Sequence, residues 1–319
     1  MRFKWRIGIR VNAISPHLLT FTGNLLAEHT QEFAAWMPGQ TQRATRESFQ
    51  VGGKGINVAK MLRRLGAPVT ALCFTGGAAG EECRAWLRAQ GFVFAAFTTA
   101  GATRTGLVVR TPDRPETTFL GPDRAPDTAA WRSAAAYLDA CPADRALALC
   151  GSMPGWAEAD ARPFREALDR WLTRGQQLFV DAYGPPLAEL VERPVELVKI
   201  NADELRTLLG TNATAFDTAA SLLLARNRWP VQTWIVTDGP RPVWLAARGE
   251  TPISLTPPVI REVSPTGSGD VLLACMLFAR LQRGATWRAA LEFALPYAAA
   301  NAAHPGIADF PDPVGGANR

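Results

Sequence analysis

The chain of 319 residues has few cysteines and no long apolar run, and each deficit argues against a class of protein. Its five cysteines are widely spaced, odd in number and never form a Cys-x-x-Cys pair, so neither a disulfide framework nor a zinc site is predicted. No window of about 18 uncharged apolar residues occurs, and no membrane span is expected. No apolar core with a small-residue cleavage site follows the basic segment Met1–Arg6. We therefore expect reduced, mostly buried thiols in a cytoplasmic protein.

The chain also lacks a basic tail, although its net charge is +5 and its pI is about 9.2. Basic residues occur only in short pairs such as Arg63-Arg64, so no nucleic-acid partner is expected. The alternatives are a solvated, arginine-rich surface and a basic cleft for a small anionic substrate. A hydrophobic fraction of 47% and a charged fraction of 20% are those of a globular protein with a sizeable core.

Short apolar runs alternate with amphipathic runs, which predicts an α/β fold. The apolar runs are near-continuous, as in a parallel sheet covered on both faces, and lie at 69–74, 146–150, 177–181, 197–201 and 233–237. Most helical candidates end at a glycine, which accepts the left-handed conformation past a helix, and they span 55–65, 81–90, 162–173, 203–209, 217–227 and 269–283. The pattern indicates a doubly wound, mainly parallel sheet with helices on both faces.

Two segments, about 15–50 and 97–121, break this alternation. The second resembles two strands joined by a Pro-Asp turn. We interpret both as a small β-sheet lid carried by a single α/β domain over residues 1–319.

The sharpest local feature is Ser264-Pro265-Thr266-Gly267-Ser268-Gly269-Asp270, followed by an apolar run. Small residues at a helix start bring backbone N–H groups to one point, which creates an anion site. A first-turn aspartate beside it suits phosphoryl transfer, which depends on positioning, charge stabilisation and a nearby base. An ordinary glycine-rich loop with a first-turn aspartate is the alternative.

Two further motifs carry polar groups at a helix start. Gln50–Ala59 contains three glycines with Lys54 and Asn57, and is either a ligand-approaching loop or a tight strand-to-helix turn; it is not a Walker A loop. In Lys199–Glu204, Asn201 and Glu204 are three residues apart at a strand end. That pair could hold a hydrated Mg²⁺ or form a helix cap, and the residues alone do not separate the two.

Taken together and in this order, the motifs resemble the PfkB, or ribokinase-like, family of sugar kinases. The branch with 1-phosphofructokinase and tagatose-6-phosphate kinase is most similar. The first signature is matched by Gly52–Ala59 and the second by Pro265–Asp270. Landmarks between them include Thr103-Arg104-Thr105, Cys150–Pro154, Val180-Asp181-Ala182, Lys199–Leu205 and Val236–Gly239.

The resemblance implies an α/β core with a β lid, and ATP-dependent phosphorylation of a sugar hydroxyl. It implies that Asp270 takes the proton from the acceptor, while the backbone of Gly267, Ser268 and Gly269 holds the phosphoryl charge. The other implied roles are sugar binding by Gly52, Gly53, Lys54 and Asn57, sugar-phosphate binding by Arg104, service to the ATP phosphates and Mg²⁺ by Lys199, Asn201 and Glu204, a nucleotide border at Thr237 and Gly239, and adenine proximity for Asn301. Members of the family often dimerise through the lid, which makes a homodimer plausible.

Two departures from the family pattern stand out. The branch opens with Asn-Pro-Ala-Leu-Asp, whose aspartate grips sugar hydroxyls, and Ser15–Leu19 is taken as the match, which places Leu19 at the aspartate. Pro242 replaces a flexible glycine near the nucleotide. These changes leave two other hypotheses open: a weak or inactive homologue that senses a sugar phosphate, and a kinase for another acceptor such as a nucleoside.

Overall fold

The structure is a computed structural model that describes residues 16–210 and 217–313. The prediction made for Met1–Arg6 and for Ser15 lies outside those residues. A nine-stranded sheet has the order β13-β12-β11-β10-β9-β8-β1-β4-β5, and all neighbours are parallel except at β12 and β13. Its strands are β1 (His17–Thr22), β4 (Val69–Thr75), β5 (Phe94–Thr98), β8 (Arg145–Gly151), β9 (Leu178–Ala182), β10 (Leu197–Asn201), β11 (Thr233–Thr237), β12 (Val243–Ala247) and β13 (Ile253–Leu255).

Helices cover both faces of this sheet, as the near-continuous apolar strands predict. Along β8, the side chains of Leu147 and Leu149 pack into one core cluster while Ala146 and Ala148 pack into the other. Helices α1 (Lys54–Arg64), α2 (Gly77–Ala89), α8 (Ser268–Leu277) and α9 (Trp287–Ala302) line one core. Helices α3 (Thr128–Asp139), α4 (Arg162–Thr173), α5 (Pro185–Leu190), α6 (Ala202–Leu209) and α7 (Thr218–Arg228) line the other. The predicted fold class is confirmed.

The helix boundaries follow the glycine stops. Glycines with positive φ follow four of the predicted helices, at Gly66, Gly91, Gly175 and Gly210. Helix α2 begins four residues before the predicted start, because Gly76 acts as an extended N-cap rather than only ending β4. A π-helical turn at Phe278–Gln282 extends α8 to nearly the predicted length. No helix within the described ranges is long and apolar enough to cross a membrane.

A separate small sheet has the order β3-β2-β6-β7. Its strands are β2 (Leu26–Glu32), β3 (Arg46–Gly52), β6 (Arg104–Thr111) and β7 (Arg114–Leu120). The predicted lid bounds were too wide. Residues 17–22 form β1 near the middle of the large sheet, and β5 ends only at Thr98, because both segments are buried between sheet neighbours. We call these four strands the lid sheet.

Candidate active site

Two adjoining cavities lie where the parallel strands end. The first, about 480 Å³, is enclosed by the ends of β1, β8 and β10, the start of α8 and the lid sheet. The second, about 470 Å³, is mostly apolar and lies between β11, the segment 256–262 and α9. We call them the acceptor cavity and the nucleotide cavity. Ligands of open α/β sheets bind at this edge.

The loop Pro265–Gly269 separates the two cavities. Gly267 and Asp270 face the acceptor cavity, Ser268 faces the nucleotide cavity, and Gly269 lines both. Gly267 is the N-cap of α8 with φ 77°, and a Cβ there would lie 2.6 Å from the Ile307 side chain. Only glycine fits this position without strain. The start of α8 therefore presents its positive end at the junction of both cavities.

Asp270 is the buried acid of the acceptor cavity. Its side chain is 5% exposed, and its Oδ2 accepts a hydrogen bond of 2.8 Å from Asn57 Nδ2. Burial, reinforced by the charge of Asp181, raises the pKa of Asp270 to about 6, against the opposing pull of Lys54, Lys199 and the Asn57 hydrogen bond. A carboxylate near that value is ionised at neutral pH yet basic enough to accept a proton.

Asp181 at the end of β9 joins the two lysines of the site. Its two oxygens accept hydrogen bonds of 2.9 Å each from Lys54 Nζ and Lys199 Nζ. Burial opposes ionisation, but the two ammonium groups hold the pKa of Asp181 below its usual value. Burial likewise works against the Lys54 ammonium, yet the surrounding carboxylates raise its pKa above the usual range. The sequence supplied Asp181 only as a family landmark at a strand end, without a role.

Lys199 reaches from β10 to the anion loop. A Cβ on Gly269 would lie 2.5 Å from Lys199 Nζ, so the missing side chain of Gly269 makes room for this ammonium group. Lys199 is buried and lines the acceptor cavity. Its charge is thus fixed beside the loop where an anion would bind.

Asn201 and Glu204 form a complete capping box at the start of α6. Asn201 Oδ1 accepts from the Glu204 N–H, and Glu204 Oε2 accepts from the Asn201 N–H, both at 2.8 Å. The capping alternative is therefore confirmed. The second carboxylate oxygen of Glu204 can still contact a hydrated cation, and hard oxygen donors in small number suit Mg²⁺, which keeps most of its waters. No cluster of three or more His, Cys, Asp or Glu side chains able to hold a metal occurs in the described part of the chain.

The glycines of the first signature allow close packing around Thr22. Gly53 has φ 122°, and a Cβ there would lie 2.5 Å from the Thr22 methyl group. Gly52, Gly53, Lys54 and Asn57 all line the acceptor cavity. Arg104, at the start of β6, lines the same cavity from the lid sheet.

The assignment of Leu19 to the sugar-gripping position was wrong. Leu19 is 2% exposed, lies in mid-strand in β1 and belongs to the core cluster behind the sheet. The carboxylate that lines the acceptor cavity is Glu28, which accepts a hydrogen bond from Gln50. Asn24-Leu25-Leu26-Ala27-Glu28 fits the Asn-Pro-Ala-Leu-Asp pattern without gaps, with Glu28 at the acid.

Asn301 supports the anion loop from α9. Its Nδ2 donates to the Thr266 carbonyl at 2.9 Å and to Ser268 Oγ at 3.1 Å, and its Oδ1 accepts from the Ala308 N–H. These bonds engage its amide within the protein. Thr237 and Gly239 line the nucleotide cavity together with Pro240, whereas Pro242 follows them in an exposed turn before β12.

Comparison with known proteins agrees with this architecture. A family model described as pfkB family carbohydrate kinase matches residues 22–313. The chain is 28% identical to 1-phosphofructokinase of Rhodobacter capsulatus over 287 residues, which cover 87% of this chain and 89% of that protein. It is 28% identical to ATP-dependent 6-phosphofructokinase isozyme 2 of Escherichia coli strain K12 over 239 residues, 73% of this chain and 76% of that protein.

The fold also matches a solved structure. The crystal structure of phosphofructokinase-2 from Escherichia coli in complex with fructose-6-phosphate superposes with a TM-score of 0.81 at 23% identity, and covers 90% of this chain and 94% of that one. The chain therefore belongs to the pfkB family of carbohydrate kinases.

Proposed function

We propose that this kinase transfers the γ-phosphoryl group of ATP to a hydroxyl of a sugar phosphate, with Asp270 as the general base. One observation carries the proposal: the loop Pro265–Gly269 is the wall between a polar cavity and an apolar one, and Asp270 lies on the polar side. A phosphoryl group that passes from one cavity to the other must cross the start of α8.

In the proposed reaction, the acceptor hydroxyl loses its proton to the Asp270 carboxylate as its oxygen forms a bond to the γ-phosphorus. The bond from that phosphorus to the β,γ-bridging oxygen breaks, and ADP leaves from the nucleotide cavity. The backbone N–H groups of Gly267, Ser268 and Gly269 would stabilise charge on the transferred group. Asn57 would hold Asp270 in position through their 2.8 Å hydrogen bond.

The polar residues of the acceptor cavity are proposed to bind the sugar. Gly52, Gly53 and Asn57 would contact its hydroxyls, and Lys54 lies beside them with Glu28 across the cavity. Arg104 would bind the phosphate that the sugar already carries, because a guanidinium group can donate two parallel hydrogen bonds to a phosphate. The names of the relatives, which act on phosphorylated fructose, support a phosphorylated ketohexose.

On the other side of the loop, Lys199 would bind the ATP phosphates and Thr237 and Gly239 would border the nucleotide. Asn201 and Glu204 would hold Mg²⁺ through its water molecules, and the ion would neutralise phosphate charge during transfer. Asn301 would act near this site by holding Thr266 and Ser268 rather than by contacting adenine.

The lid sheet is proposed to close over the sugar and exclude water, a competing phosphoryl acceptor. Its last strand carries Phe119 and Leu120, both about half exposed. Paired lid sheets of two chains would cover these side chains, so a homodimer through the lid sheet is proposed. The free thiols, four of them buried, suit the reducing cytoplasm.

The test is a turnover screen of the purified protein with Mg-ATP against sugars, sugar phosphates and nucleosides. We expect ADP release with a phosphorylated ketohexose, and we expect Arg104→Ala to raise the KM for that acceptor far more than the KM for ATP. Ligand-dependent thermal stabilisation without turnover of any acceptor would reject the proposal in favour of a binding protein. Turnover of a nucleoside that Arg104→Ala leaves unaltered would reject the sugar-phosphate assignment.

A further inference from the structure

Arg104 already has a carboxylate partner at the acceptor cavity. Its Nη1 donates a hydrogen bond of 2.9 Å to Asp123 Oδ1. The same oxygen accepts a bond of 2.8 Å from Asn24 Nδ2, which also donates to Ser152 Oγ at 3.0 Å. Asn24, Arg104 and Ser152 all line the acceptor cavity. A single carboxylate oxygen is therefore bound by two of the polar groups of the cavity wall.

Asp123 has no evident structural duty that would explain this position. It lies in the segment 121–127, which is neither helix nor strand, and its side chain is 53% exposed. The cap of the following helix α3 is a different residue, Asp127. The Arg104 guanidinium is more buried, with 15% of the side chain exposed, and its Nε has no hydrogen-bond partner among the described residues. Arg104 thus keeps donor capacity that Asp123 does not use.

We propose that Asp123 is a specificity-determining residue, an internal competitor that an anionic group of the acceptor must displace from Arg104. The inference rests on the proposed function, since it takes Arg104 as the binder of the sugar's phosphate. A carboxylate and a phosphate seek the same guanidinium donors and repel each other, so both cannot occupy them at full strength. Asp123 therefore weakens the binding of every phosphate at this position.

The consequence is selection for the complete substrate. Inorganic phosphate must displace Asp123 with no other contact to offset the loss, whereas a sugar phosphate also gains the hydroxyl contacts of the cavity. An uncharged sugar leaves the Arg104–Asp123 pair in place. The carboxylate would keep the acceptor cavity free of simple anions while a phosphorylated sugar is still admitted.

The test compares wild type with Asp123→Asn by isothermal titration with inorganic phosphate, fructose 1-phosphate and unphosphorylated fructose. Asparagine keeps the Oδ1 acceptor for Arg104 and Asn24 but removes the charge. We expect both phosphates to bind about fivefold more tightly, the upper range of what an exposed ion pair is worth, with fructose affinity unchanged. Asp123→Ser provides a second charge-removing variant should the asparagine variant fold poorly.

The matched control is Asp144→Asn. Asp144 is similarly exposed, at 47%, and also pairs with an arginine, Arg145, but that pair lies at the start of β8, at the opposite edge of the sheet. We expect no change in phosphate affinity there. In the background of Arg104→Ala, Asp123→Asn should give no tightening, because the competed group is gone.

Phosphate affinity that is unchanged or weaker in Asp123→Asn and Asp123→Ser, or undetectable in every protein, overturns the proposal. So does equal tightening in the Asp144→Asn control or in the Arg104→Ala background, since either would indicate a general charge effect. These titrations need no turnover. Failure of all acceptors in the turnover screen would reject the proposed function, while the titrations still decide the role of Asp123.

Discussion

Asp270→Asn is the substitution on which the proposed chemistry can be judged most directly. Asparagine has nearly the same shape, and its Oδ1 can accept the hydrogen bond from Asn57 Nδ2 that Asp270 receives at 2.8 Å. The variant loses only the ability to accept a proton. General-base catalysis contributes about 100-fold to 10,000-fold, so kcat should fall by at least about 100-fold.

The same substitution should stabilise the protein at neutral pH. The pKa of Asp270 rises from 3.8 to about 6 on folding, chiefly through burial, so the folded chain holds this proton more tightly than the unfolded chain. Asp270 therefore leaves stability intact below pH 3.8 and lowers it progressively as the pH rises to about 6. The loss above pH 6 is about 3 kcal/mol. Asp270→Asn removes that loss and should be more stable than wild type by up to this amount at pH 7 to 8.

Two measurements check the reasoning. Urea unfolding of wild type and Asp270→Asn at several pH values between 4.5 and 8 should show a stability gap that opens as the pH rises. Initial rates of ADP release by wild type should fall about tenfold per pH unit below about pH 6, because the protonated acid cannot act as a base. Asp144→Asn, an exposed aspartate remote from the site, is the control for both.

Retention of more than a tenth of the wild-type kcat in Asp270→Asn would remove Asp270 from the role of base. A variant that is less stable than wild type at every pH would refute the electrostatic argument. In that case the lysine charges around Asp181 need the Asp270 carboxylate more than burial penalises it.

Three further predictions follow from the same contacts. Asp181→Asn leaves two buried ammonium groups without their shared carboxylate and should lower the free energy of unfolding by about 3 kcal/mol, measured by urea unfolding; unchanged stability would contradict the pairing. Leu19→Ala should cost about 2–5 kcal/mol of stability without a selective change in acceptor KM, whereas Glu28→Gln should do the reverse, and an equal stability loss in both would refute the reassignment. Asn301→Ala removes hydrogen bonds that hold the anion loop and should lower kcat more than it raises the acceptor KM; a change confined to the KM for ATP would instead indicate contact with the nucleotide.

The alternation of strands and helices was readable because its signals are local. A strand buried on both faces is a short apolar run, and a helix that ends at glycine carries its stop signal within one residue of its end. The helices at 162–173 and 203–209 differ from the structure by at most one residue for this reason. Where two local readings compete, the pattern fails: Leu18-Leu19 and Leu25-Leu26 are both apolar pairs, and nothing in their hydrophobicity says which one precedes the cavity acid.

The sequence by itself determined the fold class and the motifs at the helix starts, since these depend on neighbours within a few residues. Only the tertiary structure brought together residues that lie far apart along the chain. Asp181 is 127 residues from Lys54, and Asp123 is 99 residues from Asn24 and 19 from Arg104. The physical reason is the parallel sheet, which brings the carboxyl ends of distant strands to one edge and lets carboxylates pair there with ammonium and guanidinium groups that no local pattern connects.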